Sequence, residues 1–183
     1  MATTTDAITG YLDMLGWSYK TFGDGKVRTT YRCRVSAYYY VIAIEVSVGR
    51  HWVVLRALLQ GDIGRTQLDS VLRLISRWNE VTYRARFLLV GDCVVLQAEI
   101  PVPQLSADLF LESLSAICRY STLAGVEIAA VATNPSLCGM FDSIITAIRQ
   151  PAWDGAVPNE MPDLDFDISM NRIPDLSTYL GFS

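Results

Sequence analysis

Residues 66–100, TQLDSVLRLISRWNEVTYRARFLLVGDCVVLQAEI, decide the fold because the spacing of their apolar residues changes once. In the first half, apolar residues recur at the spacing of one helical face: Leu68, Val71, Leu72 and Ile75. After Trp78 the period becomes two, which predicts a strand over residues 83–89, and Gly91 then turns the chain into a second strand over residues 93–100. The stretch therefore predicts an amphipathic helix followed by a β-hairpin, and each needs other elements to cover its apolar face.

The flanking segments supply those elements. An apolar stripe predicts a first helix over residues 6–15, and Ser106 is the predicted N-cap of a third helix. This third helix runs to about Leu123 or continues through Gly125 into residues 126–132. Thr66 is the predicted N-cap of the central helix. Three further segments alternate with strand period: residues 27–35, 38–48 and 51–59. The predicted fold is α+β, in the order helix–β–β–β–helix–β–β–helix, with an antiparallel sheet and the first and third helices packed on one face.

The first of these strands places a row of arginines, Arg28, Arg32 and Arg34, on the face opposite its apolar side chains. One interpretation is a solvent-facing row, or a row paired with Glu45 and Glu99 on neighbouring strands, because exposed charge rows commonly have no further role. The other is a docking site for an acidic partner, including the acidic C-terminal part of this chain. The residue pattern favours the first interpretation.

The strand at residues 51–59 is apolar on both faces, so its second face is expected to be covered as well, by the C-terminal part of the chain or by a second subunit. Trp78 lies beyond the main stripe of the central helix and is a second candidate contact, although core packing is the commoner role of tryptophan. These features predict a two-fold homodimer and an unidentified protein partner. The predicted partner-binding residues are Trp52, Val54, Arg56, Leu58, Trp78, Arg28, Arg32 and Arg34.

Composition limits the class of protein. The 183 residues carry a net charge of -4 and are 51% hydrophobic, which indicates a globular domain and does not indicate a nucleic-acid partner. The four cysteines, with no C-x-x-C pair, are expected to be buried free thiols. The N-terminus lacks a signal-peptide pattern, and charges interrupt the apolar runs, so no membrane-spanning helix is expected. These features favour the bacterial cytoplasm.

The C-terminal part differs in composition from the rest. We divide the chain into a domain at residues 1–133 and an extension at residues 134–183. The extension begins with an apolar stripe from Leu137 to Ile148, typical of an amphipathic helix. Residues 151–183 then carry six acidic residues against Arg172 alone. Because an apolar stripe needs cover, we expect the extension to pack on the domain, in the same chain or in a partner subunit.

No combination of residues predicts catalysis, a metal site or a cofactor. His51 is the only histidine and lies at a predicted turn, whereas Asp163, Asp165 and Asp167 lack the glycine and terminal glutamate of a calcium loop. The segment Gly23-Asp24-Gly25 lacks the lysine of a phosphate loop. A non-enzymatic protein is therefore expected. The alternative to a protein-binding module is a small-ligand sensor with a cavity lined by aromatic residues: Tyr31, Tyr38–Tyr40 and Trp52.

The order of elements resembles the YbjN family, described as bacterial sensory transduction regulators. The resemblance covers roughly residues 5–125 and is carried by four loose patterns: Tyr11–Tyr19, Val27–Val35, Val71–Asn79 with Ala85–Arg86, and Cys93–Pro101. It implies the fold of the type III secretion chaperones and a non-catalytic protein that pairs with itself and with other proteins. The family provides no catalytic residue to transfer to this chain.

Overall fold

The computed structural model describes residues 3–23, 25–35 and 38–141. In chain order the helices and strands are α1 (Thr4–Met14), β1 (Tyr19–Phe22), β2 (Lys26–Val35), β3 (Tyr38–Val48), β4 (Trp52–Gln60), α2 (Leu68–Asn79), β5 (Arg86–Val90), β6 (Cys93–Pro101) and α3 (Ala107–Thr133). Two 3₁₀ segments follow β6 and α3, at Val102–Gln104 and Pro135–Phe141.

The strands form one antiparallel sheet in the order β1-β2-β3-β4-β6-β5. This confirms the predicted α+β fold and adds β1, which pairs with β2 from Tyr19 opposite Thr29. Two predicted boundaries were wrong. The strand expected from residue 83 begins at Arg86, because Arg84 has a left-handed backbone with φ 63° and interrupts the extended run. Helix α2 begins after Gln67 without a side-chain cap, and the Thr66 hydroxyl hydrogen-bonds the Gln67 side chain instead.

All three helices pack toward the same face of the sheet, which we call the inner face. Helix α3 contacts β4 and β6, α1 contacts β2, and α2 contacts β5 and α3. Because side chains alternate across each strand, Val46 on β3, Leu55 on β4 and Leu96 on β6 all point into this core. The central strands therefore bury one complete set of apolar residues under the helices, as predicted.

Helix α3 takes the longer of the two extents that the sequence left open. Ser106 caps its first turn as predicted, accepting a hydrogen bond from the Leu109 amide at 3.2 Å. The helix then continues past Leu123 to Thr133, because buried side chains such as Ile128 and Val131 hold the second half on the core in spite of Gly125. By length and composition it could span a membrane, but 61% of its most apolar window is buried inside the fold, as in the core helix of a soluble protein.

A buried polar contact joins α2 to α3. The Trp78 indole nitrogen donates a hydrogen bond to Glu127 Oε2 at 2.9 Å, and both side chains are buried. Burial raises the pKa of the Glu127 carboxyl, and the hydrogen bond from Trp78 opposes that rise. The contact therefore satisfies the indole N–H at the cost of a buried carboxyl group.

Replacing Glu127 tests this balance. Glu127→Gln keeps a carbonyl acceptor for Trp78 and removes the buried charge, so we expect the variant to be at least as stable as the wild type at pH 7. Glu127→Ala leaves the indole N–H without a partner and should lower the free energy of unfolding by about 1–3 kcal/mol. Urea denaturation of both variants measures the difference.

The pH dependence provides the control. A carboxyl whose pKa is raised by folding contributes stability that is fully present below its unfolded pKa and is lost as the pH rises through the folded value. The wild type should therefore gain stability relative to Glu127→Gln as the pH falls from 7 toward 4.5, the ordinary pKa of a glutamate carboxyl. A constant difference across that range would contradict the assignment.

Candidate partner-binding surface

The sheet face opposite the helices, which we call the outer face, carries a row of polar residues across five strands. The registers place Arg28 of β2 opposite Glu45 of β3, and Glu45 opposite Arg56 of β4. Arg56 is in turn opposite Gln97 of β6, which is opposite Arg86 of β5. The sheet thus aligns residues from positions 28 to 97 of the sequence in one line perpendicular to the strands.

Hydrogen bonds connect neighbours along this row. Arg28 Nε donates to Glu45 Oε2 at 2.8 Å, and Arg56 Nε donates to Gln97 Oε1 at 2.7 Å. The Gln97 amide donates to Glu99, which also accepts from Arg86 Nη2 at 2.7 Å. The outer-face network therefore contains three arginines and two glutamates, with Gln97 linking Arg56 to Glu99.

Burial divides the network into a centre and two ends. Glu45, Arg56 and Gln97 are only 4%, 8% and 7% exposed, whereas the Arg86 side chain at one end is 56% exposed. Burial lowers the pKa of Arg56, and the negative charges of Glu45 and Glu99 oppose this change. The central arginine is thus buried near the negative charges of Glu45 and Glu99, whereas the Arg86 end of the row can reach solvent.

Apolar side chains flank the network on the outer face. Trp52 is 48% exposed, and Val54 and Leu58 on the same strand are half-buried. The apolar side chains buried under the helices lie on the other, inner face: Val46, Leu55 and Leu96. An exposed tryptophan beside charged and apolar side chains is the composition of a protein-binding surface.

The structure places most of the predicted partner-binding residues together. Trp52, Val54, Arg56 and Leu58 share the outer face with Arg28, and the register assigns Arg32 to that face opposite Val41. The register also pairs Arg34 with Tyr39, but the side chains of residues 33–40 lie outside the described part of the chain.

Trp78 does not lie on the outer face, and the partner contact predicted for it is wrong. It is fully buried, and its indole ring lies 6.1 Å from that of Phe87 in addition to its hydrogen bond with Glu127. The position beyond the main stripe of α2 faces α3 rather than solvent, because α3 covers that side of the helix. Trp78 is therefore a core residue of this chain.

The aromatic cavity expected for a small-ligand sensor is not formed by Tyr31 and Trp52. Tyr31 lies on the inner face, where its ring stacks on Trp17 at 6.2 Å, whereas Trp52 lies on the outer face. The two side chains are on opposite sides of the sheet, since they occupy strand positions of opposite parity. The side chains of Tyr38–Tyr40 lie outside the described residues.

Arg28 follows the first of the two interpretations of the arginine row, and Arg86 of β5, which lies outside that row, pairs with the second expected glutamate. Arg28 pairs with Glu45 and Arg86 pairs with Glu99, the two glutamates that the sequence suggested. The burial of Arg56 and the linking role of Gln97 were missed. Both depend on the pairing of β4 with β6, strands 41 residues apart in the sequence, and no local pattern reveals such a register.

No group of three or more His, Cys, Asp or Glu residues that could hold a metal ion occurs among the described residues. His51 is exposed at the turn between β3 and β4. Cys93 and Cys118 are buried free thiols, and burial raises the pKa of Cys93. The acidic residues Asp163, Asp165 and Asp167 lie outside the described part of the chain.

The sheet order and the helices on one face define an α+β fold of the kind found in YbjN. The structure is similar to that of YbjN of E. coli, a candidate transcription regulator, with a TM-score of 0.50 and 13% identity, over 68% of this chain and 93% of that chain. The ExsC–ExsE complex gives a TM-score of 0.45 and 15% identity, over 68% of this chain and 95% of that chain. No family model and no curated protein matches the sequence. The similarity concerns the fold alone.

The network can be tested by removing its centre. Arg56→Ala leaves Gln97 and the two carboxylates without their buried partner, so it should lower the free energy of unfolding by about 2 kcal/mol. Arg86→Ala removes an arginine from the exposed end and should cost at most about 1 kcal/mol. Guanidinium denaturation measures the free energy of unfolding of both variants. Equal losses would show that the centre of the row contributes no more to stability than its end.

Proposed function

We propose that this protein is a non-catalytic bacterial protein of the cytoplasm that binds other proteins, as a regulator or in a chaperone-like role. The observation that supports it best is the outer face, where half-exposed Trp52 and the apolar side chains of Val54 and Leu58 lie beside a charged network. A YbjN-like fold is consistent with such a role.

We also infer that the outer face contributes to a two-fold homodimer. Trp52 provides a rigid apolar side chain that is accessible without any rearrangement of the chain. In a two-fold interface each residue is contributed once by each subunit, so Trp52 would contribute twice. The two charged ends of the row would set the orientation of the second subunit, because paired charges contribute more to orientation than to affinity.

Site-specific crosslinking tests the proposal in cells. A photoreactive phenylalanine analogue at position 52 should crosslink to a defined protein, or to a second copy of this chain. The same analogue at position 14 is the matched control, because Met14 is 74% exposed on α1, away from the outer face. Equal crosslinking from both positions, or none from position 52, would contradict a partner site on the outer face.

The dimer is tested separately by light scattering. Wild-type protein at micromolar concentration should have twice the 20.3 kDa mass of the chain, whereas Trp52→Ala should shift toward the monomer without loss of folding. Met14→Ala should retain the wild-type mass. A monomeric wild type would refute the dimer and leave the crosslinking result to decide about other partners.

We further propose that the C-terminal extension, residues 134–183, packs on the domain. Its first segment provides support, because Leu137 and Phe141 pack against the core, and Cys138 Sγ lies 3.3 Å from the Ser70 carbonyl oxygen of α2. The predicted stripe from residue 142 to Ile148 and the acidic residues that follow lie outside the described part of the chain.

Two truncations separate the contributions of the extension. Removing residues 134–183 should expose apolar side chains on α2 and α3 and lower the melting temperature by several degrees, since each kilocalorie per mole shifts it by about 2–4 °C at this size. Removing residues 142–183 keeps the contacts of Leu137 and Cys138 and should cost less. A protein without residues 134–183 that is as soluble and stable as the full chain would show that the extension is independent.

A further inference from the structure

Strands β3 and β4 separate before either of them ends. Their pairing stops at Ile44 opposite Ala57, although β3 begins at Tyr38 and β4 continues to Gln60. Beyond this point β3 stays paired with β2, and β4 stays paired with β6 through Leu58 opposite Val95, followed by a bulge. The sheet therefore opens into two arms with a gap between them.

Helix α3 crosses this gap and encloses a groove of about 270 Å³. Apolar side chains form most of its described lining: Val41, Ile42, Leu58, Leu59, Val126 and Ala129. No charged side chain is among the described residues that line it. A charged ligand would lose its hydration there without compensation, whereas an apolar body would gain from leaving water.

One polar side chain that lines the groove has no hydrogen-bond partner among the described residues. The hydroxyl of Ser121 on α3 lines the groove, is only 2% exposed, and makes no hydrogen bond among the described residues. Other hydroxyls of the same helix bond back to the preceding turn, as Ser113 does to the Leu109 carbonyl oxygen and Thr122 to that of Cys118, both at 2.8 Å. A buried hydroxyl without a partner is unfavourable, and a ligand with a single polar group would satisfy it.

We propose that this groove is a binding site for a small uncharged amphiphile: a compact apolar body with one hydroxyl, carbonyl or amide group that hydrogen-bonds Ser121. Since a cavity of about 150 Å³ holds benzene, the volume corresponds to a body of about 10–15 non-hydrogen atoms. The apolar part lies between the two strand arms and α3. The groove contains none of the charged residues of the outer-face network, although Leu58 is common to the groove and to the proposed partner-binding surface.

Gly125 allows a substitution that fills the groove. It lies in the interior of α3 and lines the groove, and a Cβ added there meets no atom within 4 Å. Gly125→Leu therefore replaces open space with a side chain and gives the helix a residue of higher propensity. Gly10 in α1 also has no atom within 4 Å of an added Cβ and lies outside the groove, so Gly10→Leu is the matched control.

The experiment uses the full chain and two probes that differ by one hydroxyl, 2-naphthol and naphthalene. We expect saturable binding of 2-naphthol to the wild type and to Gly10→Leu, with amide chemical-shift changes at residues 58–60 and 121–129. Gly125→Leu should weaken that binding at least tenfold. Ser121→Ala should weaken 2-naphthol binding about three- to tenfold and leave naphthalene unchanged, because a hydrogen bond contributes about that factor.

Three results would overturn the proposal: no saturable binding of either probe to the wild type, equal binding to Gly125→Leu and the wild type, or equal weakening of both probes by Ser121→Ala. Circular dichroism checks that each variant is folded. If Gly125→Leu does not fold, the comparison of the two probes with Ser121→Ala still tests the proposal. If neither probe binds but an added extended peptide protects the amides of Val41–Ala43 from hydrogen exchange, the groove binds a peptide strand and the amphiphile proposal is wrong.

Discussion

The pairing of β4 with β6 fixes the rest of the structure. It joins the strands that follow α1 to the hairpin that follows α2, and its register runs from Trp52 opposite Pro101 to Leu58 opposite Val95. That register places Leu55 and Ala98 under α3 and, on the other face, Arg56 beside Gln97. Because the side-chain period is two, a slip of one residue would put Arg56 into the core and Leu55 into the polar row. The residue composition of both sheet faces therefore depends on the register of this one non-local strand pair.

The outer-face network and the Trp78–Glu127 contact show two ways of tolerating polar groups inside a small domain. In the network, each buried group faces one of opposite charge or a neutral amide that can donate and accept. Glu127 has the single neutral donor Trp78, so its carboxyl meets the cost of burial through a raised pKa. We infer that the network specifies register, whereas the helix contact holds α2 against α3 at the expense of neutral-pH stability.

Local patterns were sufficient for the element order, the Ser106 cap and the inner face of the sheet. They were insufficient wherever the outcome depended on a neighbour distant in sequence. The sequence could not decide between the two extents of α3, because the second half of the helix is stabilised by packing rather than by propensity. Trp78 was a candidate for a partner contact as well as for the core, because the sequence does not show that α3 covers that side of α2. Tyr31 and Trp52 were grouped by chemistry, although strand parity separates them. The Ser121 groove arises from strands that part and a helix that crosses them, and no single segment encodes it.

The two edges of the sheet have a consequence for how this protein behaves at high concentration. The edge strand β1 is four residues long and carries Lys20, and its Phe22 ring lies 4.8 Å beneath the Arg28 guanidinium. At the other edge, the Asn79 side chain donates to the Phe87 carbonyl oxygen at 2.9 Å and accepts from the Phe87 amide at 2.7 Å, so the backbone of β5 is already engaged. Short, charged and occupied edges discourage strand-by-strand addition of further molecules. Both edges of the sheet thus carry features that oppose open-ended aggregation by strand addition.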